Sequence, residues 1–298
     1  MIDSDVEGFE AALLLEKGMS ANTCAGYSSD IAFFVDFLKR RGIVESSAVT
    51  RADIVDFLAE EREKGMKGST RCRRTAAIRM FFRYLKGRRL IKVNPSDLMD
   101  TPKKAQPLPK ILSEEEVSAM LEEVKDIDPR SLRDRAMLEV LYGCGLRVSE
   151  LCGAKTDDIV ADGELLRVFG KGSKERLVPI GSAAGTALTR YFETGREFFT
   201  RGNASETHMF VTRLGRPFTR QGVFKIIKER AAAVGIAAER ISPHVLRHCF
   251  ASHMLAHGAD VRSIQEMLGH ADVGTTQIYT HVDTTRFGDL HRRFHPRA

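Results

Sequence analysis

Apolar residues recur at helical spacing through most of the first hundred positions. The stretch VEGFEAALLLEKG reads as a first helix ended by Gly18, and Ser20 or Asn22 opens a second, TCAGYSSDIAFFVDFLKRRG, that stops at Gly42. Thr50 caps a third, RADIVDFLAEEREKG. Ser69 or Thr70 begins a fourth, with Ala76, Ala77, Ile78, Phe81, Phe82 and Leu85 as its apolar stripe. Four such helices predict a small bundle over residues 1–100. The pattern then breaks at Pro95, Pro102, Pro107 and Pro109, which deny helix and ladder hydrogen bonds, so residues 101–110 are expected to be a linker. Ser113 with Glu116 has capping-box spacing and opens a second domain, 111–298. There, SLRDRAMLEVLYGCGLRVSELCGAKTDDI is helical to Gly143, turns at GCGLR and enters another helix. The alternation in GELLRVFGKGSKERLVPI predicts a β-hairpin with Lys171 at its tip, and the residues after Gln221 read as mostly helical. The expected fold class is mainly α: a helical N-terminal bundle, then a mixed α/β domain that is mostly helical with a small β-sheet.

Composition fits this division. A chain of 298 residues can bury two cores, and 29% charged with 43% hydrophobic residues is usual for a globular protein. No run of about 18 apolar residues occurs, and the acidic start MIDSDVEGFEAALLLEKG lacks the basic region of a signal peptide, so the expected location is cytoplasmic. The five cysteines are scattered, with no CxxC spacing, and read as reduced, core-filling thiols. The formal charge of +6 is distributed unevenly. From Arg62 to Lys92 twelve Lys/Arg face one acid, Glu63. A solvated helix face normally mixes signs; this one predicts a folded helix with a basic face for a nucleic-acid backbone, carried by Arg71, Arg73, Arg74, Arg79 and Arg83.

The candidate chemistry is concentrated near the end. Six of nine histidines fall between residues 242 and 282. His244/His248 and His253/His257 are spaced four apart, as zinc ligands on a helix would be, yet neither pair is an HExxH and no Cys or acid cluster completes a ligand set. His253 and His257 read as ordinary helix residues before Gly258. His244 and Arg247 share a helix turn begun by Pro243, where a guanidinium fork and an imidazole can hold one phosphate. His270 follows Gly269, and Tyr279 lies nine residues on. A phenol, with a pKa of about 10, needs neighbouring cations to become a nucleophile; attack on phosphorus would then give a phosphotyrosine.

Five segments in order, GLRVSEL (145–151), GKGSKER (170–176), HVLRH (244–248), LGH (268–270) and IYTH (278–281), resemble the signature of the tyrosine recombinase family, its Xer branch in particular, over essentially the whole chain. The resemblance implies a SAM-like core-binding bundle and a tyrosine-recombinase catalytic domain that together form a C-shaped clamp on DNA. It implies that Arg147 is the first phosphate-binding arginine with Glu150 orienting it, that Lys171 is the general acid for the leaving 5′-hydroxyl, and that His244 and Arg247 form the H-x-x-R pair. By the same resemblance His270 assists phosphate binding and proton handling, Tyr279 is the nucleophile, and His248 supports the site. The activity implied is cutting and rejoining of DNA through a 3′-phosphotyrosyl intermediate, without cofactor or metal, in Xer-type resolution of chromosome or plasmid dimers. A phage or transposon integrase, a type IB topoisomerase or a catalytically idle DNA-binding relative are the alternatives. The partners implied are a double-stranded recombination site, a homotetramer or a heterotetramer with a second Xer recombinase, and a DNA translocase of the FtsK type. The sequence opens directly in the bundle, so action at simple sites, without arm sites, is the expectation. The tail DTTRFGDLHRRFHPRA places Phe287, Leu290 and Phe294 at helical spacing and is expected to dock on a neighbouring protomer. Cys144, Cys152 and Gly274 depart from the family pattern without touching the chemistry.

Overall fold

The computed structural model describes residues 1–15, 21–97, 99, 111–125, 127–170, 175–203, 205–269 and 281–298. The chain divides into two compact units, Met1–Gln106 and Pro107–Ala298.

The first unit is built from α1 (Ile2–Leu15), α2 (Ala21–Arg40), α3 (Arg51–Glu63) and α4 (Gly68–Gly87). α1 starts four residues before the apolar pattern suggests, because Ile2 is fully buried and its N–H donates to Val44 O at 2.9 Å. Thr50 and Asp53 form a reciprocal capping box on α3. α4 begins at Gly68 rather than after a Ser or Thr cap; Lys67 precedes it and makes no side-chain cap bond. The core is aromatic, with Phe81 meeting Phe9 edge-on at 5.4 Å and Phe34 meeting Phe57 at 5.2 Å. Ala76, expected in the apolar stripe, is exposed.

The second unit is organised around α6 (Pro129–Gly143), whose residues from Ala136 to Gly143 are all buried. α5 (Glu114–Glu122) starts at the Ser113–Glu116 box, and α7 (Val148–Gly153) follows the turn after α6. The sheet has three antiparallel strands in order β1 (Ile159–Val160), β2 (Leu165–Phe169) and β3 (Glu175–Pro179). Leu166 pairs with Val178, and Val168 with Arg176. The short β1 is an addition to the expected hairpin. α8 (Ser182–Arg190) runs through a π-turn, Tyr191–Gly195, into α9 (Arg196–Thr200); α10 (Arg220–Ala233), α11 (Pro243–Ala256), α12 (Val261–Leu268) and α13 (His281–Phe294) complete the unit.

The tail corrects an expectation. Phe287 is buried in the core of its own catalytic unit, with Leu290 and Phe294 packed against it, so the apolar residues of α13 are used within the chain rather than on a neighbour. His291 Nε2 donates to Gly143 O at 2.8 Å, and Arg297 pairs with the buried Glu139 at 2.7 Å. Cys24, Cys144 and Cys249 are buried thiols and no cysteine is bridged; burial pushes the Cys144 thiol up to about 12. Among the described residues no helix is long and apolar enough to cross a membrane.

Candidate active site

The turn between α6 and α7 carries the first arginine. Gly145 has φ +58°, and a Cβ there would lie 2.7 Å from the Phe250 ring, so the position requires glycine. Its carbonyl accepts from Arg247 Nη1 at 2.7 Å. Two residues later Arg147 caps α7, and Glu150 reaches back to it: Oε2 accepts from Arg147 N–H at 2.7 Å and Oε1 from Arg147 Nη1 at 2.8 Å.

Arg247 projects from α11, where Pro243 occupies the first turn and Ser242 accepts the N–H of Val245. It is buried, and its second terminal nitrogen donates to Leu268 O at the end of α12. His244, one turn earlier, is exposed. A third arginine enters from β3: Arg176 makes a fork on Glu150, Nη1 to Oε1 at 2.8 Å and Nη2 to Oε2 at 2.9 Å. Arg247 Nη1 stands 3.8 Å from the same carboxylate. Among the described residues one carboxylate thus faces three guanidiniums, a local excess of positive charge. Burial pushes the Glu150 carboxyl up, but the hydrogen bonds and charge of Arg176, with the backbone and side-chain hydrogen bonds of Arg147, hold it below its ordinary value. Burial, then the charges of Arg147 and Arg176, bring Arg247 down to about 10, still protonated at neutral pH.

Chemically, such a cluster can hold a second anion, and the oxygens of a carboxylate or a phosphate both match guanidinium forks. Of the expected site residues the structure brings Arg147 and Arg247 together, with His244 on the same helix as Arg247. Lys171, His270 and Tyr279 lie outside the described residues.

Family models agree with the order of these segments: the Phage integrase family matches residues 110–286, and the Phage integrase N-terminal SAM-like domain matches residues 6–89. The chain belongs to the phage integrase family. It is 45% identical over 298 residues to the tyrosine recombinase XerD of Proteus mirabilis, covering 99% of this chain and 95% of that protein. To the tyrosine recombinase XerD of Listeria monocytogenes serotype 4b (strain F2365) it is 42% identical over 294 residues, 98% of this chain and 99% of the relative. These relatives place it among the Xer-type site-specific DNA recombinases. The fold is similar to that of the Tn1549 transposon integrase (residues 82–397) solved with circular intermediate DNA, with a TM-score of 0.70 at 19% identity, covering 94% of this chain and 97% of that one.

In this phage integrase chain the arginines of the basic helix α4 differ in exposure and pairing. Arg83 is exposed, Arg71 and Arg79 are half-buried, and Arg73 is exposed but pairs with Asp30 and donates to Gly26 O at 3.1 Å. Arg74 is a correction: it is buried, paired with Glu61 and with Asp30 at 3.4 Å, and lies 4.2 Å from the Phe33 ring centroid, so its guanidinium faces the bundle interior and not a phosphate. Among the candidate zinc pairs, His253 is buried between Tyr142 Oη (2.8 Å) and Leu112 O (2.9 Å), and His257 pairs with Glu114 at 2.9 Å. Among the described residues no group of three or more His, Cys, Asp or Glu is arranged to hold a metal.

Sequence reasoning missed Arg176. A signal existed: in β3 it shares the inward face with Val178, a register position where an apolar residue is expected.

Proposed function

We propose that this recombinase cuts and rejoins one strand at a time of a double-stranded recombination site, acting from the cytoplasm to resolve chromosome or plasmid dimers. In this reading Arg147 and Arg247 neutralise the non-bridging oxygens of the scissile phosphate, and His244 donates to one of them. The phenol oxygen of Tyr279 attacks phosphorus, its proton passing to His270. The bond from phosphorus to the 5′-oxygen breaks, and Lys171 protonates the leaving oxygen. A 3′-phosphotyrosine results, which conserves the diester energy so that a 5′-hydroxyl can reverse the step. Negative charge grows on the oxygens during attack, so fixed cations stabilise the transition state more than the ground state.

The observation that carries this reading is the excess of guanidinium over carboxylate at Glu150. Four protomers, identical or paired with a second Xer recombinase, would exchange four strands in two steps, and a DNA translocase of the FtsK type would control the order. The name of the quoted relatives, tyrosine recombinase XerD, supports the Xer-type reading.

The test is covalent capture in EDTA on a nicked duplex carrying the site this chain selects from a randomised duplex library. A protein–DNA adduct on a denaturing gel with wild type and none with Tyr279→Phe is the expected result. An adduct that persists in Tyr279→Phe, or bound DNA that wild type never cleaves, would refute the assignment.

A further inference from the structure

Three consecutive carbonyls at the end of α12 are each received by a different arginine. Met267 O accepts from Arg176 Nε at 2.7 Å, Leu268 O from Arg247 Nη2, and Gly269 O from Arg147 Nη2 at 3.2 Å. Terminal helix carbonyls lack intrahelical donors and carry the negative end of the helix dipole, so cations there are stabilising. Gly269 sits at φ +65° directly over Arg176: a Cβ would fall 3.1 Å from Arg176 Cδ. His270 is the next residue in the chain.

The Glu150 carboxylate explains how the trio is held. A carboxylate has about four lone-pair directions. All four are used, two by the Arg176 fork, one by Arg147 Nη1 and one by Arg147 N–H. With two in-plane bonds from a planar guanidinium the carboxylate cannot turn, and its remaining bonds aim Arg147. Lysine, a point charge on a flexible stem, could replace the charge of Arg176 but not the fork.

We propose that Arg176 is a positioning residue for DNA cleavage: through its fork on Glu150 and its bond to Met267 O it orients Arg147 and the chain segment entering His270, so that the scissile phosphate meets guanidiniums already in place. This rests on the reading of Arg147 and Arg247 as phosphate binders. Arg176 itself touches neither substrate nor reacting atoms.

The experiment compares wild type, Arg176→Met and Arg176→Lys as full chains in single-turnover adduct formation on the library-selected nicked duplex, with duplex affinity measured in parallel. Each protein is assayed on two versions of the duplex, one with the ordinary scissile phosphodiester and one with a methylphosphonate there. On the phosphodiester, Arg176→Met should be slower by about 10²-fold, the order expected when a reacting group is misplaced by about 1 Å, with affinity within about threefold. Arg176→Lys should recover no more than about tenfold, because the fork is missing. The methylphosphonate lacks the charge that the arginines neutralise, so there the ratio of wild type to variant should shrink to within about fivefold. An equal ratio on both substrates would mean that Arg176 only supports the fold, and wild-type rates in Arg176→Met would also overturn the proposal. If Arg176→Met does not fold, the ratio between the two substrates for Arg176→Lys decides. Wild-type adduct that does not depend on Tyr279 would instead refute the underlying reading of the site, and this proposal with it.

Discussion

Two arginine clusters in this recombinase, one in each unit, differ in charge balance. In the N-terminal unit Arg73 and Arg74 meet Asp30 and Glu61, two cations with two anions, and the group is closed. In the catalytic unit Arg147, Arg176 and Arg247 meet, among the described residues, the single carboxylate of Glu150. The first arrangement is balanced in charge, whereas the second keeps an unneutralised field at a place only partly open to solvent, where it is screened less than on the surface. On the proposed reading, what separates the two clusters is the balance of guanidiniums and carboxylates within each.

The largest effect should come from opening the closed cluster. Arg74→Met leaves Asp30 and Glu61 buried without their shared cation, and breaking a buried pair in this way costs about 3–5 kcal/mol. Denaturant unfolding of the full chain should therefore show an early loss of the N-terminal unit. At temperatures where the variant is folded, the salt dependence of DNA binding should match wild type. A variant of wild-type stability with weakened DNA binding would reverse the assignment of Arg74.

Arg247→Gln probes the open cluster and should have the opposite signature. Cleavage on a nicked duplex should fall by about 10²-fold or more, by analogy with the loss of an oxyanion-hole donor. Stability should suffer less than in Arg74→Met, because Arg247 already opposes the charges of Arg147 and Arg176. If unfolding shifts as far as in Arg74→Met while cleavage changes only in proportion to folded protein, the charge-balance distinction fails.

These contrasts also explain what was legible in the sequence. The helices of the first unit, the hairpin strands and the caps at Thr50 and Ser113 followed from periodicity and capping, which are local. The two buried arginines were marked by position: Arg74 falls on the stripe of Ala77, Ile78 and Phe81, and Arg176 falls on the inward face with Val178. Their partners were not legible, because Arg74–Glu61 and Arg176–Glu150 are contacts set by tertiary packing across 13 and 26 positions. The same holds for the tail, whose amphipathic spacing was clear but whose partner, the core under Gly143, is 148 positions from His291.

The tail supplies a third case, bases with no carboxylate of their own. His291 and His295 stack at 4.6 Å. Burial lowers the His291 imidazole below its ordinary 6.5, against the pull of the Gly143 carbonyl; burial, then His291, His253, Arg297 and His257, hold His295 well below it. Both stay neutral when folded, while the unfolded chain takes up protons as the pH falls past about 6.5. Stability is therefore full above that pH and is lost between it and the depressed folded values, since the unfolded state binds more protons there. The unfolding midpoint should decline in that window, and His291→Gln should flatten the decline. An unchanged slope in the variant would show that the acid sensitivity arises elsewhere.

The smallest expected effect, and the one that completes the comparison, is at Arg83, an exposed residue of the same helix as Arg74. A surface substitution there should leave stability within about 0.5 kcal/mol. If Arg83 contacts one phosphate, Arg83→Ala should reduce the slope of log affinity against log salt by about one, since each neutralised phosphate releases roughly 0.9 counterion from duplex DNA. Arg74→Met should leave that slope unchanged. The pair separates the two faces of one basic helix with a single titration: equal slopes in all three proteins would remove Arg83 from the DNA surface, and a reduced slope in both variants would mean that the Arg74 cluster opens when DNA binds.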